Sequence, residues 1–161
     1  MHAVEVLQRL IQCCIPAVHE KRLQLLLAAV GSCLRHRRLT LSEVARGLEP
    51  TTSVRHRLKR IDRLLGHSWF QQQRGCFYRL LCRQLLAGAV EPIILVDWSD
   101  LKPDRSLLLL RATVWTHRQA LVLYEEIHPL RKQNSPSVER MFLRTLQSML
   151  GEGVCPVIVT D

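Results

Sequence analysis

The sequence lacks the long apolar run that a membrane-spanning helix needs. No stretch of its 161 residues approaches the ~18 to 20 consecutive apolar residues that cross a bilayer. Glu5 and Arg9 fall inside the first apolar segment, so the N-terminus does not have the basic-then-apolar order of a signal peptide. With 47% hydrophobic and 23% charged residues, the composition is that of a folded chain. These features predict a soluble, intracellular and cytoplasmic protein.

Cysteine spacings typical of metal sites or disulfide frameworks are also missing. The 6 cysteines are scattered, with no C-x-x-C motif and no histidine pair at zinc-finger spacing. Most of them fall within apolar helical patterns, and cysteine is among the most frequently buried residue types. We therefore expect reduced thiols in the core.

Acidic residues are scarce in the first part of the chain. The whole sequence has 23 Lys and Arg against 14 Asp and Glu. Residues 1–66 hold 12 basic and 5 acidic side chains, whereas residues 67–161 hold 11 and 9. The basic excess is expected where one region binds phosphates and another region has a different task.

The first 88 residues are predicted to be helical. Apolar residues recur near the 3.6-residue period in "VEVLQRLIQCCI" and in "HEKRLQLLLAAVGSCL", and Pro16 separates these two segments. A further helix, "SWFQQQRGCFYRLLCRQLLAG", is predicted to begin at Ser68 and to end at Gly88.

A helix-turn-helix motif is predicted at about residues 40–66. Thr40 followed by Glu43 is a capping box for a short helix that ends near Leu48. A longer helix follows and ends at Gly66. Its cap is one of Thr51, Thr52 and Ser53, and its predicted buried face is Val54, Leu58, Ile61 and Leu65. A short helix, a tight turn and a longer helix are the outline of the motif.

The longer helix of this motif carries a nearly continuous basic face. Six of its side chains are basic or titratable: Arg55, His56, Arg57, Lys59, Arg60 and Arg63. Arginine and lysine supply both phosphate contacts and readout of guanine in a DNA groove. A basic helix alone is as readily a solvated surface, but the capped helix and turn before it favour double-stranded DNA as the partner.

The second half of the chain predicts a sheet with one crossover helix. "PIILVD" is a short apolar run behind a proline, typical of a strand that is buried on both faces. "LLLLRATVWT" and "ALVLYEEI" are two further strands, joined by a hairpin across residues 117–119. A helix from Ser135 to Gly151 precedes the last strand, "VCPVIVTD". The predicted order is therefore strand, strand, strand, helix, strand.

Two of these strands end in an aspartate. Asp97 follows the first strand, and Asp161 follows the last. A right-handed crossover would set the two strands parallel and adjacent, so both acids would stand at one edge of the sheet. Two carboxylates held close together favour a hard cation, Mg²⁺ or Mn²⁺. Aspartates after strands also serve as turn residues or helix caps, and the residues alone leave both interpretations open.

Several stretches then point to one family. They are "HEKRL", "LTLSEVARGL", "KRIDRLLG", "PIILVDWSDL", "LLLLRATV", "LYEEIHPL" and "PVIVTD", of which "KRIDRLLG" and "VDWSD" are the specific ones. Along essentially its whole length the chain resembles the bacterial DDE cut-and-paste transposases of the insertion-sequence-four group. The resemblance implies an α + α/β protein, with a helical DNA-binding region over residues 1–88 and a partial ribonuclease-H-like catalytic domain over residues 89–161. The first two catalytic acids of the family map onto Asp97 and Asp161.

What the resemblance implies for the complete enzyme is metal-dependent DNA cleavage, hairpin formation and strand transfer at transposon ends. Asp97 and Asp161 would be metal ligands, with two Mg²⁺ or Mn²⁺ ions. Lys102 and Arg105 are expected to guide phosphates of transposon-end and target DNA to the site. Trp98 is expected to pack beneath the active site, with stacking on a flipped base as the alternative. A homodimer of the full-length enzyme stays open.

The third acid of the family has no counterpart in this sequence. It is a glutamate within a Tyr-x-x-Arg-x-x-x-Glu-x-x-x-x-x-x-Lys signature, and no such spacing occurs here. Asp100 is a poor substitute because it should lie past the strand end, and Glu125 and Glu126 are predicted to be one outward-facing acid and one partner for an arginine. We therefore expect the N-terminal portion of a transposase, inactive by itself. A catalytically inactive DNA-binding regulator and a two-acid nuclease are the alternatives.

Overall fold

Helices occupy the first half of the chain, and a mixed sheet with one helix occupies the second. The computed structural model describes residues 3–15, 17–37, 39–116 and 119–160. Within these residues the helices are α1 (Ala3–Cys14), α2 (Glu20–His36), α3 (Leu41–Arg46), α4 (Val54–Leu65), α5 (Ser68–Leu85) and α6 (Pro136–Met149). The strands are β1 (Ile93–Asp100), β2 (Leu107–Trp115), β3 (Ala120–Pro129) and β4 (Val157–Thr160). None of the helices described is both long enough and apolar enough to cross a bilayer.

The chain divides into two compact units, residues 1–77 and residues 78–161. The division falls within α5, whereas the sequence pattern predicts a boundary after residue 88, where the helical periodicity ends. The C-terminal part of α5 contributes to the second core, in which Cys82 is buried and against which Leu85 packs.

In the first unit, α2, α3 and α4 pack around one apolar cluster. α3 begins after Thr40, whose hydroxyl accepts a hydrogen bond from the backbone N–H of Glu43. The carboxylate of Glu43 pairs with Arg46 at 2.7 Å. α4 begins after Ser53, whose hydroxyl accepts from the N–H of His56. The buried members of the cluster are Ala29, Val44, Ala45, Leu48, Ile61 and Leu64.

The buried face of α4 differs from the predicted one. Ile61 is buried as expected, but Val54 and Leu65 are 44% and 56% exposed. Their places in the buried face are taken by Leu64 and by Arg57. The helix is rotated relative to the predicted orientation because the long stem of Arg57 packs inward while its guanidinium reaches backbone carbonyls.

In the second unit, the four strands are ordered β3-β2-β1-β4. β1 and β3 run antiparallel to β2, whereas β4 runs parallel to β1 and is reached through α6. The predicted order of elements and the predicted parallel neighbours are therefore confirmed. The hairpin residues His117 and Arg118 lie outside the described residues.

One face of this sheet is packed on helices. Alternation along β1 buries Ile94 and Val96 and leaves Asp97 exposed between Val96 and the half-buried Trp98. The ring of Phe142 in α6 stacks on Tyr124 in β3 with centroids 5.0 Å apart. The six helices and four-stranded mixed sheet are an α + β arrangement, compatible with the predicted α + α/β layout.

Candidate nucleic-acid interface and acidic cavity

The exposed side of α4 is basic. Its exposed basic and titratable side chains, the basic surface, are Arg55, His56, Lys59, Arg60 and Arg63. Arg55, Lys59 and Arg63 are spaced at i, i+4 and i+8, so they lie along one stripe of the helix. Among the residues that the structure describes, no ion pair engages any of the five. The positive charges of Arg55, Lys59, Arg60 and Arg63 are therefore available to an external anion.

Arg57 does not belong to this basic surface, which corrects the sequence-based assignment. It is only 8% exposed, and its Nη1 donates hydrogen bonds to the backbone carbonyls of Arg46 at 3.1 Å and of Leu48 at 2.7 Å. A guanidinium engaged in this way inside the protein cannot also reach a DNA groove. The sequence pattern could not reveal this. Which arginine of a basic helix faces the core depends on how the helix packs, and the sequence alone does not show that.

A cavity of about 320 Å³ lies beside the carboxylate of Asp97. The middle of β1, Leu110 of β2, the end of β4, the connection before α6 and the first turns of α6 line it. Its polar lining residues are Asp97, Gln133, Asn134, Glu139 and Thr160. Each of these side chains carries an oxygen atom, the donor that Mg²⁺ and Mn²⁺ prefer. The cavity is therefore lined by oxygen-bearing side chains, two of which, Asp97 and Glu139, are carboxylates.

Glu139 is the one carboxylate among the four polar cavity residues that sequence reasoning missed, the others being Gln133, Asn134 and Thr160. Its Oε1 accepts a hydrogen bond from the indole N–H of Trp98 at 3.0 Å, which ties α6 to β1. Glu139 lies in the first turn of α6, where acidic residues are common because they interact favourably with the helix dipole. Its position in the sequence therefore did not indicate a functional site. Only the crossover of α6 over the sheet brings Glu139 to the cavity that Asp97 lines.

Trp98 is held by protein groups on both sides. Besides its bond to Glu139, its ring meets the imidazole of His128 edge-on, with centroids 5.6 Å apart. His128 in turn pairs with Glu126 through Nε2 at 2.8 Å, and the hydroxyl of Tyr124 donates to the same carboxylate. Trp98 therefore packs against other protein residues, as expected from the sequence.

The acids considered as substitutes are engaged elsewhere. Asp100 is the last residue of β1 and faces Leu108 in the ladder, so the expectation that it lies past the strand end is wrong. Its carboxylate pairs with Arg105 at 3.1 Å. Glu125 pairs with Arg111 at 3.1 Å, as predicted for one of the two adjacent glutamates. Glu126 was predicted to face outward, but its carboxylate contacts Tyr124 and His128. Asp100 stays in the strand because the β1–β2 ladder continues beyond Asp97.

The loop after β1 carries the two predicted phosphate guides. Lys102 is exposed, whereas Arg105 is shared between Asp100 and the side-chain oxygen of Gln133 at 3.4 Å. In the same loop, the backbone N–H of Ser106 bonds to Asp104 and holds the pKa of that carboxyl below its usual value. The loop is thus held by its own hydrogen bonds. Within the described part of the chain, Lys102 is the basic side chain of this loop that has no ion pair or hydrogen bond.

The predicted second acid, Asp161, lies outside the described residues. The register of the parallel pair sets Val96 against Thr160, the residues that precede Asp97 and Asp161 in the sequence. Within the described part of the chain, no three or more His, Cys, Asp or Glu side chains form a group that could hold a metal.

Compared with known proteins, the chain matches no family model, no curated protein and no solved structure.

Proposed function

We propose that this chain binds double-stranded DNA through α4 and forms the first part of a metal-dependent DNA-cutting and strand-transfer enzyme, a DDE transposase. The observation that carries the proposal is the register of the parallel strands. Val96 in β1 and Thr160 in β4 form the last pair of the parallel ladder, and in the sequence Asp97, which lies within β1, follows the first of them while Asp161 follows the second. Carboxyl ends of neighbouring parallel strands are where α/β sheets place their ligands.

A ribonuclease-H-like domain is the finer fold that we propose for the second unit. Three antiparallel strands, a crossover helix and a fourth strand parallel to the first are the elements expected for the first part of such a domain. The sheet order β3-β2-β1-β4 supports this assignment, because it places β4 next to β1 and parallel to it.

In the proposed catalytic chemistry, Asp97 and Asp161 would hold Mg²⁺ or Mn²⁺, which supplies an activated water and neutralises charge on the scissile phosphate. Asp97 presents an exposed carboxylate to the cavity, and the oxygen atoms of Asn134 and Glu139 lie along its wall. Lys102, exposed in the loop after β1, would attract DNA phosphates toward this cavity. In this arrangement Lys102 would orient the DNA strand, and Asp97 would hold the ion.

DNA binding by α4 is tested by salt titration. The triple substitution of Arg55, Lys59 and Arg63 by Ala should weaken binding to a labelled duplex. It should also reduce the slope of log K against log [salt] by roughly 0.9 for each phosphate that is no longer neutralised, since fewer counterions are released. The charge-matched control replaces Arg131, Arg140 and Arg144, which are exposed in the second unit, by Ala. Equal effects of the two triple variants would reject α4 as the DNA-binding element.

Catalysis is tested by incubating the purified chain with duplex DNA and Mn²⁺. We expect no strand cleavage, because the third carboxylate of the family is missing from this sequence. Cleavage that disappears with Asp97→Ala would show that two acids suffice, and would favour the two-acid nuclease.

A catalytically inactive DNA-binding regulator is the second candidate. It is favoured by one observation: the Tyr-x-x-Arg-x-x-x-Glu-x-x-x-x-x-x-Lys spacing that carries the third acid of the family does not occur in the sequence. Binding to the same duplex in competition with an active transposase is the behaviour expected of such a regulator.

A further inference from the structure

Arg57 occupies an unusual position for a side chain in the middle of a basic helix. Its neighbours Arg55 and Lys59 are exposed, but Arg57 is 8% exposed and points into the first unit. Its Nη1 bridges the carbonyls of Arg46, at 3.1 Å, and Leu48, at 2.7 Å. One side chain of α4 thus joins the last residue of α3 to the connection that follows it.

The carbonyls that Arg57 contacts need partners. The last carbonyl groups of a helix have no partner within the helix, and the partial negative charge of that end favours a cation. A second arginine completes the arrangement, since Nη2 of Arg35 in α2 donates to the carbonyl of Gly47 at 2.7 Å. Three consecutive carbonyls, at Arg46, Gly47 and Leu48, therefore accept hydrogen bonds from guanidinium groups of α2 and α4.

Gly47 keeps this connection close to α2. A Cβ atom at that position would lie 2.0 Å from the Oγ of Ser32 and 2.8 Å from the ring of His36. The Oγ of Ser32 is itself bonded to the carbonyl of Val44 at 3.0 Å. The connection between α3 and α4 is thus fixed against α2 on one side and joined to α4 by Arg57 on the other.

A buried guanidinium is an inefficient way to gain stability. Desolvation of the charge opposes its hydrogen bonds, and the Nε of Arg57 is buried without a partner among the residues described. An apolar side chain of similar volume would often serve stability as well. The geometry that the two hydrogen bonds impose is what distinguishes arginine here.

We propose that Arg57 is a positioning residue for DNA recognition: it sets the orientation of α4 relative to α3 without touching DNA, so that the exposed side chains of α4 meet base edges in register. This inference rests on the proposed DNA-binding function. To read bases, a side chain must lie within hydrogen-bonding distance of the base edges in the groove. Attraction to phosphates depends less on the exact position of the side chain. Loss of Arg57 should therefore reduce sequence preference more than general affinity.

The experiment compares three variants of the full chain on two probes. One probe is a duplex selected by the wild-type chain from a random-sequence library, and the other is the unselected pool. Arg57→Met keeps the apolar stem and removes the donors, whereas Arg57→Lys keeps a charged donor. Arg63→Met is the matched control on the exposed stripe. Circular dichroism melts confirm that each variant is folded at the temperature of the titration.

With Arg57→Met, the preference for the selected duplex should fall at least about fivefold, the discrimination that one base contact provides. Affinity for the unselected pool and the salt slope should stay at their wild-type values. Arg57→Lys should recover part of the preference. With Arg63→Met, affinity for both probes should fall, and the salt slope should decrease by ~0.9.

Other results overturn the proposal. A fall in salt slope with Arg57→Met would make Arg57 a phosphate contact, and an unchanged preference would leave it a purely structural residue. If Arg57→Met is unfolded, the Arg57→Lys variant decides. A sequence preference between that of wild type and none, at an unchanged salt slope, supports the proposal. A wild-type sequence preference or a reduced salt slope rejects it. A wild-type chain that binds duplexes without preference rejects this inference alone, while one that binds no duplex rejects the proposed function.

Discussion

Gly47 shows how a single missing side chain permits close packing of two backbone segments. Its Cα faces the buried Ser32 Oγ and the His36 ring, and a Cβ would come within 2.0 and 2.8 Å of them. Gly47→Ala should therefore lower the free energy of unfolding by roughly 1 to 3 kcal/mol, as overpacking of a tight contact does. Urea denaturation measures the change.

Gly66 provides the matched control for this substitution. A Cβ there would meet the carbonyl of Asp62 at 3.5 Å, an ordinary contact, and its φ of −80° suits any residue. Gly66→Ala should change stability by no more than about 0.5 kcal/mol. A Gly47→Ala variant as stable as Gly66→Ala would contradict the close packing of the connection on α2.

Cys82 makes stability depend on pH in the alkaline range. Burial raises the pKa of its thiol from 9.0 to about 11, and its Sγ contacts the carbonyl of Leu123 at 3.6 Å. Between these two values the unfolded chain loses the thiol proton while the folded chain keeps it. Stability is therefore fully present below pH 9 and should fall by roughly 2 to 3 kcal/mol as the pH rises to 11.

Comparison of wild type with Cys82→Ala isolates this contribution. Both proteins share every other alkaline titration, so the difference in their free energies of unfolding should narrow as the pH rises through that range. A difference that is constant from pH 8 to pH 11 would contradict the assignment of a raised pKa.

At the scale of elements, the bond from Trp98 to Glu139 joins β1 to α6 at the acidic cavity. Trp98→Phe and Glu139→Ala should each destabilise the protein by about 1 kcal/mol or more, since the acceptor is charged and partly buried. Because both substitutions remove the same bond, the double variant should cost about 1 kcal/mol less than the sum of the two. Urea denaturation of the four proteins gives the coupling.

Arg140 is the control partner for this cycle, being exposed one residue beyond Glu139 in α6. Trp98→Phe combined with Arg140→Ala should be additive within roughly 0.5 kcal/mol. Additivity in the Glu139 cycle as well would show that the hydrogen bond contributes nothing to the attachment of α6.

At the scale of the whole molecule, β4 forms an unprotected edge of the described sheet. Its side chains Val157, Ile158 and Val159 are 53%, 37% and 45% exposed, with no charge or proline among them. Edge strands of this kind pair with other chains unless a charge prevents it. We expect self-association that increases with concentration, measurable by sedimentation, and expect Val159→Lys to reduce it.

Ile127→Lys is the control for this effect. Ile127 is 53% exposed on β3, at the opposite edge of the sheet, so the substitution adds the same charge and removes a similar apolar side chain. If both variants reduce self-association equally, net charge rather than the β4 edge is responsible.

The local features of this protein were predictable from its sequence. The cap at Thr40, a cap among Thr51, Thr52 and Ser53, and the order of the strands follow from patterns within a few residues. The position of Asp97 did not, since it was predicted to follow the first strand and lies within β1. The parallel pairing of β4 with β1 also followed, because a single crossover helix with a right-handed preference leaves few alternatives.

Tertiary structure alone decided which similar residues would have different roles. Arg57 and Arg63 lie on the same basic helix, yet one is buried against backbone carbonyls and the other is exposed. Glu139 reaches the cavity of Asp97 only because α6 crosses the sheet. The physical reason is that local patterns determine the type of element, whereas the direction of each side chain depends on the neighbouring elements against which it packs.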